Sequence, residues 1–476
     1  MNPTNPIEIS AEEFRALCER VVEIAVDYLK GMDARAIPPA ASGAEMERMY
    51  HTAAPETGLR EEALEGLAGV ARDSRAQNGR FFGYVMGSGE LAAAAADLLC
   101  SAINQNVTAW RSAPAGVTLE RTVVSWLAQA IGCAGFRGSL TGGGSAANLM
   151  ALAMAREAAS PSNETGIRAG ALAVYASTEA HMSIGKAVAL LGIGRENLRP
   201  IAVDHAFRMI PEELDAAMRR DKEGGRIPMA VVGTAGTVNT GAIDALREIG
   251  EIGARHGAWF HVDGAYGALA AIRAPEKFAG LARADSISLD PHKWLYQPID
   301  CGCLLYRDAA AARRAFSHSG DYARALSSDP LEGASFFEES IELSRRFRAL
   351  KVWFSLRYHG LSAFREAIGK DLAHAQRLGE LIAKQRKLEL MAPIELSAVC
   401  FRYVGDGELR AEQINAANFE ILQRVITRGQ VYLSNATLRG QFCLRACITN
   451  HRTTDADIER VPAEVLAAAQ EVLGDR

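Results

Sequence analysis

The sequence predicts an α/β protein in which a mostly parallel sheet, covered by helices on both faces, is followed by a smaller α+β unit. Between about residues 120 and 310 short apolar runs alternate with helix-like stretches, and after about residue 350 the alternation stops. The 476 residues are 49% hydrophobic and 23% charged, enough apolar material for more than one core, which excludes a mainly disordered chain.

The first element is an amphipathic helix. Ser10 stands three residues before Glu13, a capping-box spacing, and Phe14, Leu17, Val21, Ala25, Tyr28 and Leu29 recur near helical period. A Pro/Ala/Gly/Ser stretch over 37–43 follows, so residues 1–76 read as an arm that must pack on something else, such as a second copy of the chain. Residues 77–350 hold the alternating region, with strand-like runs at 171–176, 200–203, 229–233, 258–262, 286–289 and 302–306 and helices at 211–220 and 245–256. Residues 351–476 form the smaller unit: a helix at 361–385, strands at 399–404 and 442–448, and a last helix at 457–472.

Fifty-two Lys and Arg against 57 Asp and Glu leave a net charge of −5, with no basic run of the kind that marks a nucleic-acid or membrane partner. The N-terminus has neither the basic start nor the apolar stretch of a secretory signal, and the apolar run 91–103 is broken by Asp97 and Ser101. None of the eight cysteines sits at zinc-ligand spacing, so no metal is expected, and buried thiols in a cytoplasmic protein are. A small-molecule substrate is the expected partner.

Ligands of such sheets bind at the carboxyl ends of the strands, so the residues after each run are the candidates for a site. Thr141-Gly-Gly-Gly-Ser145 precedes a helix-forming run, where glycine amides and the helix N-terminus make a phosphate cradle or simply a flexible turn. Asp263 ends one strand, either capping a turn or facing a heterocyclic nitrogen. Lys293 follows another strand beside His292 and Trp294, and a lysine held there can form an imine with a carbonyl. Phosphate cradle, carboxylate and lysine together are the three handles of pyridoxal 5'-phosphate.

These segments, with Ala180-His181, Gly233-Thr-Ala-Gly-Thr-Val, His261-Val-Asp263-Gly-Ala-Tyr, Pro291-His-Lys293-Trp and Ser344-Arg-Arg-Phe-Arg-Ala-Leu-Lys-Val-Trp353, make the chain resemble the group II pyridoxal-phosphate decarboxylases over nearly its whole length. The resemblance implies a fold-type I, aspartate aminotransferase-like large domain and a homodimer with active sites at the subunit interface. It implies that Lys293 carries the cofactor, Asp263 bonds the ring nitrogen, and His181 stacks opposite Ala265. Gly143, Gly144, Ser145 and His292 would hold the phosphate, and Ser344 would reach over from the partner. The implied activity is decarboxylation of an L-amino acid, aromatic substrates being favoured, to the amine.

The chain departs from the family pattern in three places. Asp290 stands where relatives often have Asn and must point away from the phosphate, be protonated or pair with a cation. In the expected substrate pocket Phe81 and Phe82 match the aromatic-amino-acid enzymes, while Arg80, Asn106 and Thr108 are more polar. On the loop at about 317–339, the position of the family's proton-delivering tyrosine falls on Phe336, which has no proton to give, as in the related aromatic aldehyde synthases; a different loop length would pass the role to Tyr322 or a bound water. An aldehyde product is therefore an alternative. An aminotransferase gripping the α-carboxylate with Arg402 or Arg445, or a scaffold without turnover, are further ones.

Overall fold

A computed structural model of the chain describes residues 5, 7–168, 170–318, 329, 331–407 and 409–474. Seven strands form the main sheet: β1 (Arg137–Thr141), β2 (Leu172–Ser177), β3 (Leu198–Ile201), β4 (Ile227–Thr234), β5 (Trp259–Asp263), β6 (Ser286–Leu289) and β7 (Gly302–Tyr306). Their order is β1-β7-β6-β5-β4-β2-β3. Only β7 runs against its neighbours β1 and β6; the other pairings are parallel. The predicted parallel sheet is thus present, with β1 as an addition: Arg-Gly-Ser-Leu-Thr has one large apolar side chain and reads as loop until β7 offers it a partner.

The central strands are buried on both faces, as a sheet sandwiched by helices requires. The helix Leu246–His256 shows how the covering works. It turns Leu246, Ile249, Gly250, Ile252 and Gly253 inward, and its glycines bring it close to Phe260.

The C-terminal region forms an antiparallel sheet of β8 (Leu388–Leu390), β9 (Ala398–Tyr403), β10 (Ser434–Leu438) and β11 (Gln441–Cys447), in the order β10-β11-β9-β8, backed by helices Leu361–Ala383, Ala411–Arg428 and Asp455–Gly474. Residues 78–87 tie the two sheets together. Phe82 donates its N–H to the Tyr432 carbonyl, Cys447 donates to the Phe82 carbonyl, and the Phe82 ring lies in the core under β9 and β11; five residues on, Gly87 donates to the carbonyl of His292. At the N-terminus, Ser10 caps Ala11–Gly31 as its spacing predicts, accepting the Glu13 N–H at 3.0 Å, and this helix has no buried residue. Among the described residues no helix is long and apolar enough to cross a membrane.

One buried ion pair joins distant segments. Arg345 and Glu120, both with fully buried side chains, meet at 2.5 Å; Arg345 also donates to the carbonyls of Val107 and Leu140, and Glu120 accepts the Leu140 N–H that leads into the glycine run. Removing one partner strands the other charge in the interior. Glu120→Ala is therefore expected to lower stability by about 3–5 kcal/mol in a denaturant titration, and a loss within error of zero would show that water reaches the guanidinium.

Candidate active site

The carboxyl ends of β1, β2, β4, β5 and β6 meet at one edge of the sheet, and the segments that follow them line a cavity of about 600 Å³. Into it come Gly143, Gly144 and Ser145 after β1, His181 after β2, Asp263 and Ala265 from β5, and Asp290, His292 and Lys293 after β6. The sequence places these residues up to about 150 positions apart, and the sheet gathers them.

The glycines are required by close approach. A Cβ on Gly144 would sit 2.6 Å from Ala265 Cβ, one on Gly302 would sit 2.4 Å from Gly143 Cα, and Gly143 itself has φ +139°. Helix Gly144–Ala159 starts there with no side-chain cap, so its first amides have no acceptor in the helix and its positive end faces the cavity. His292 flanks this cradle, its Nδ1 donating to the Cys301 carbonyl at 2.7 Å. Such a site suits a phosphate monoester.

Asp263 sits deeper. Its Oδ1 accepts from the Ala265 N–H and Ser288 Oγ at 3.2 Å each, and its Oδ2 accepts from Asn148 Nδ2 at 2.9 Å. Burial pushes the imidazoles of His181 and His292 below their ordinary pKa, so both are neutral at pH 7. Lys293 Nζ lies 2.9 Å from Asp290 Oδ2, and His292 Nε2 lies 3.6 Å from the same oxygen. Of the three arrangements expected for Asp290, the structure shows the third: it pairs with a cation, Lys293. Its other oxygen, Oδ1, is buried with no hydrogen-bond partner, while Oδ2 is the oxygen that faces Gly144.

The substrate-facing candidates lie apart from this chain's cavity. Arg80, Phe81 and Phe82 do not line the cavity; from that segment Tyr84 and Val85 do. Arg80 donates to the Asp33 and Arg35 carbonyls, Phe82 is core, and Phe81 stacks on Tyr432 with ring centroids 5.0 Å apart. Asn106, Thr108, Phe336 and Ser344 are also absent from this chain's cavity and belong to a different neighbourhood. There Arg345 N–H donates to Asn106 Oδ1, Phe336 N–H donates to the Thr108 carbonyl, and the Arg345 guanidinium lies 4.4 Å over the Phe336 ring. Ser344 is exposed beside them, and Tyr322 lies outside the described residues. Of the two arginines, Arg445 on β11 lines the cavity, whereas Arg402 pairs with Glu389 at 2.8 Å.

Asn148 and Arg445 were not singled out for the cofactor by sequence. Asn148 left a signal, being the one polar residue in the run Ala146–Leu152; Arg445 left only its place in a predicted strand.

A sheet of this topology with a phosphate cradle, a buried carboxylate and a lysine at its carboxyl edge defines a pyridoxal-phosphate enzyme. Residues 60–404 match the family model described as the pyridoxal-dependent decarboxylase conserved domain. The chain is 31% identical to the aromatic-L-amino-acid decarboxylase of Bacillus atrophaeus, over 98% of this chain and 97% of that one, and 30% identical to the phenylacetaldehyde synthase of Petunia hybrida, over 92% and 91%. It superposes on the crystal structure of Oryza sativa TDC with PLP and tryptamine with a TM-score of 0.91 at 28% identity, covering 99% of each chain. The chain belongs to the pyridoxal-dependent decarboxylase family and is a pyridoxal-phosphate-dependent amino-acid carboxy-lyase.

Asp290 sets a measurable property of this site. Its negative charge opposes a phosphate and holds Lys293 as an ion pair. Asp290→Asn is therefore expected to tighten pyridoxal phosphate binding about tenfold in an equilibrium titration; unchanged or weaker binding would contradict this role.

Proposed function

We propose that the protein decarboxylates an aromatic L-amino acid to its amine, as a cytoplasmic homodimer. The observation that carries the substrate reading is the aromatic cluster at the cavity: Tyr84 lines it, with its ring centroid 6.1 Å from that of Tyr432, which Phe81 backs in turn. A planar side chain fits against walls of this kind. The names of the Bacillus and Oryza relatives point the same way.

In this reading Lys293 holds the cofactor covalently, Asp263 sets its negative charge against the ring nitrogen, and the Gly143–Ser145 backbone with His292 binds the phosphate. His181 and Ala265, which both line the cavity, would hold the ring between them. Bound pyridoxal phosphate supplies a conjugated ring that accepts the electrons of the breaking bond. Arg445 offers the positive charge that meets the substrate's α-carboxylate. Its Nε is bonded to Ser434 Oγ at 3.0 Å, and the same guanidinium donates to the Val238 carbonyl, which fixes its direction.

The dimer is supported by what one chain leaves uncovered. Phe14, Val21 and Val22 of the first helix are 44–52% exposed, and Leu91, Leu98 and Leu99 are 48–54% exposed. We assign Asn106, Thr108, Phe336 and Ser344 to the partner's cavity, because these four residues cluster together yet do not reach their own. The eight free thiols accord with a reducing compartment.

Phe336 favours a second reading. Without a tyrosine proton there, the reaction can run as amino acid plus dioxygen plus water to aldehyde, carbon dioxide, ammonia and hydrogen peroxide, and the Petunia relative is named for such a product.

The test is a panel of tyrosine, tryptophan, histidine, glutamate and 2,4-diaminobutyrate with carbon dioxide, amine, oxygen and peroxide followed together. Equal carbon dioxide and amine without oxygen uptake is expected, with kcat/KM for tyrosine or tryptophan at least about tenfold above that for glutamate. A preference for glutamate would overturn the substrate assignment. Peroxide matching carbon dioxide would replace amine with aldehyde, and Phe336→Tyr should then restore amine. Light scattering should give twice the 51.1 kDa chain mass; a monomer would contradict the shared site.

A further inference from the structure

A branched chain of hydrogen bonds runs beneath the cavity, and its direction follows from one end. Asp263 Oδ2 is a carboxylate oxygen and can only accept, so the Asn148 atom 2.9 Å away is the amide nitrogen. The Asn148 carbonyl oxygen then faces His261 Nε2 at 2.9 Å, which must donate to it. Burial holds fully enclosed His261 down to about 4, so its ring is neutral and its Nδ1 is bare. That nitrogen accepts the Ser286 hydroxyl proton at 2.9 Å, and Ser286 Oγ accepts the Trp259 indole N–H at 2.8 Å. His261 Nδ1 also lies 3.2 Å from the Ser286 carbonyl, a contact that favours the opposite tautomer, but that tautomer would turn the Asn148 oxygen onto the Asp263 carboxylate.

The second amide hydrogen of Asn148 points to Ser183 Oγ at 2.9 Å, and Ser183 Oγ lies 2.8 Å from His181 Nδ1. The Ser183 backbone N–H also donates to that nitrogen, at 3.3 Å. A backbone N–H has no acceptor function, so Nδ1 of the neutral His181 ring is the bare one and the proton sits on Nε2.

We infer that Asn148 and Ser183 are positioning residues: Asn148 splits its two amide hydrogens between Asp263 and Ser183, and Ser183 passes its own to His181, which fixes His181 as the Nε2–H tautomer. Asp263 and His181 thus share one network, and the direction of the hydrogen bond at His181 follows from the acceptor oxygen of Asp263. Asn148 and Ser183, 1% and 2% exposed, are shielded from water that would scramble the direction. The inference concerns the cofactor-facing groups, holds for any amino-acid substrate and does not rest on the substrate assignment.

The test is nitrogen-15 NMR of the holoenzyme carrying ring-labelled histidine, without substrate, with the His181 signals identified by their loss in His181→Gln. A neutral ring protonated at Nε2 near pH 7 is expected. Ser183→Ala keeps the long 3.3 Å backbone contact and loses the 2.8 Å hydroxyl one, so a partial shift toward the Nδ1-protonated tautomer is expected, with kcat down about tenfold, KM within about twofold, and tautomer and kcat restored by Ser183→Thr. An Nδ1-protonated or charged His181 in the wild type would overturn the inference without any variant, as would a Ser183→Ala protein whose tautomer and kcat match the wild type. A changed substrate preference alone bears on the proposed function and leaves the tautomer reading standing.

Discussion

Backbone meets backbone at the carboxyl edge of the main sheet, where the start of β7 at Gly302 lies against Gly143, and Gly144 lies against Ala265. Everything else in the site depends on this approach. It sets the uncapped first turn of helix Gly144–Ala159 facing the cavity, and it leaves the short segment 290–293 as the nearby source of charged side chains. A single methyl at Gly302 would push the glycine run outward and take the helix end with it. The buried Arg345–Glu120 pair reinforces the same region from behind, because Glu120 also holds the Leu140 N–H of β1.

Within that frame the charges are few and matched. Lys293 and Arg445 bring positive charge to the cavity and Asp263 and Asp290 bring negative, while the two histidines are neutral. Buried charges are tolerable only when compensated, and each carboxylate has its means: Asp263 is loaded with three donors, Asp290 has the Lys293 ammonium. Engaging Lys293 with a cofactor removes that compensation, which ties the chemistry of the lysine to the carboxylate three residues before it.

Much of this was legible in the sequence. The strands at 286–289 and 302–306 fall at their predicted bounds, because their apolar runs are continuous and sharply punctuated. The residues that line the cavity from β1, β2, β5 and β6 were legible because each follows a strand end, where the parallel topology must bring them together. What was not legible depends on long-range pairing. β1 and β10 (Ser-Asn-Ala-Thr-Leu) carry too little apolar periodicity to read as strands and exist because β7 and β11 complete them. The segment around Phe81 is drawn to the C-terminal sheet by backbone bonds to residues some 350 positions away, so it is Tyr84 that lines this chain's cavity. The network through Asn148 depends on where a helix face lands against β5, which periodicity alone does not fix.

The central claim is that the edge of this sheet is a pyridoxal phosphate site built on Lys293. Its most direct measurement is reconstitution with the cofactor, borohydride reduction, and mass spectrometry of the resulting peptides. The account predicts a visible imine absorbance before reduction and one phosphopyridoxyl group, on Lys293, afterwards, both absent from Lys293→Ala. A protein that shows no absorbance, or that carries the label on another lysine, would contradict it.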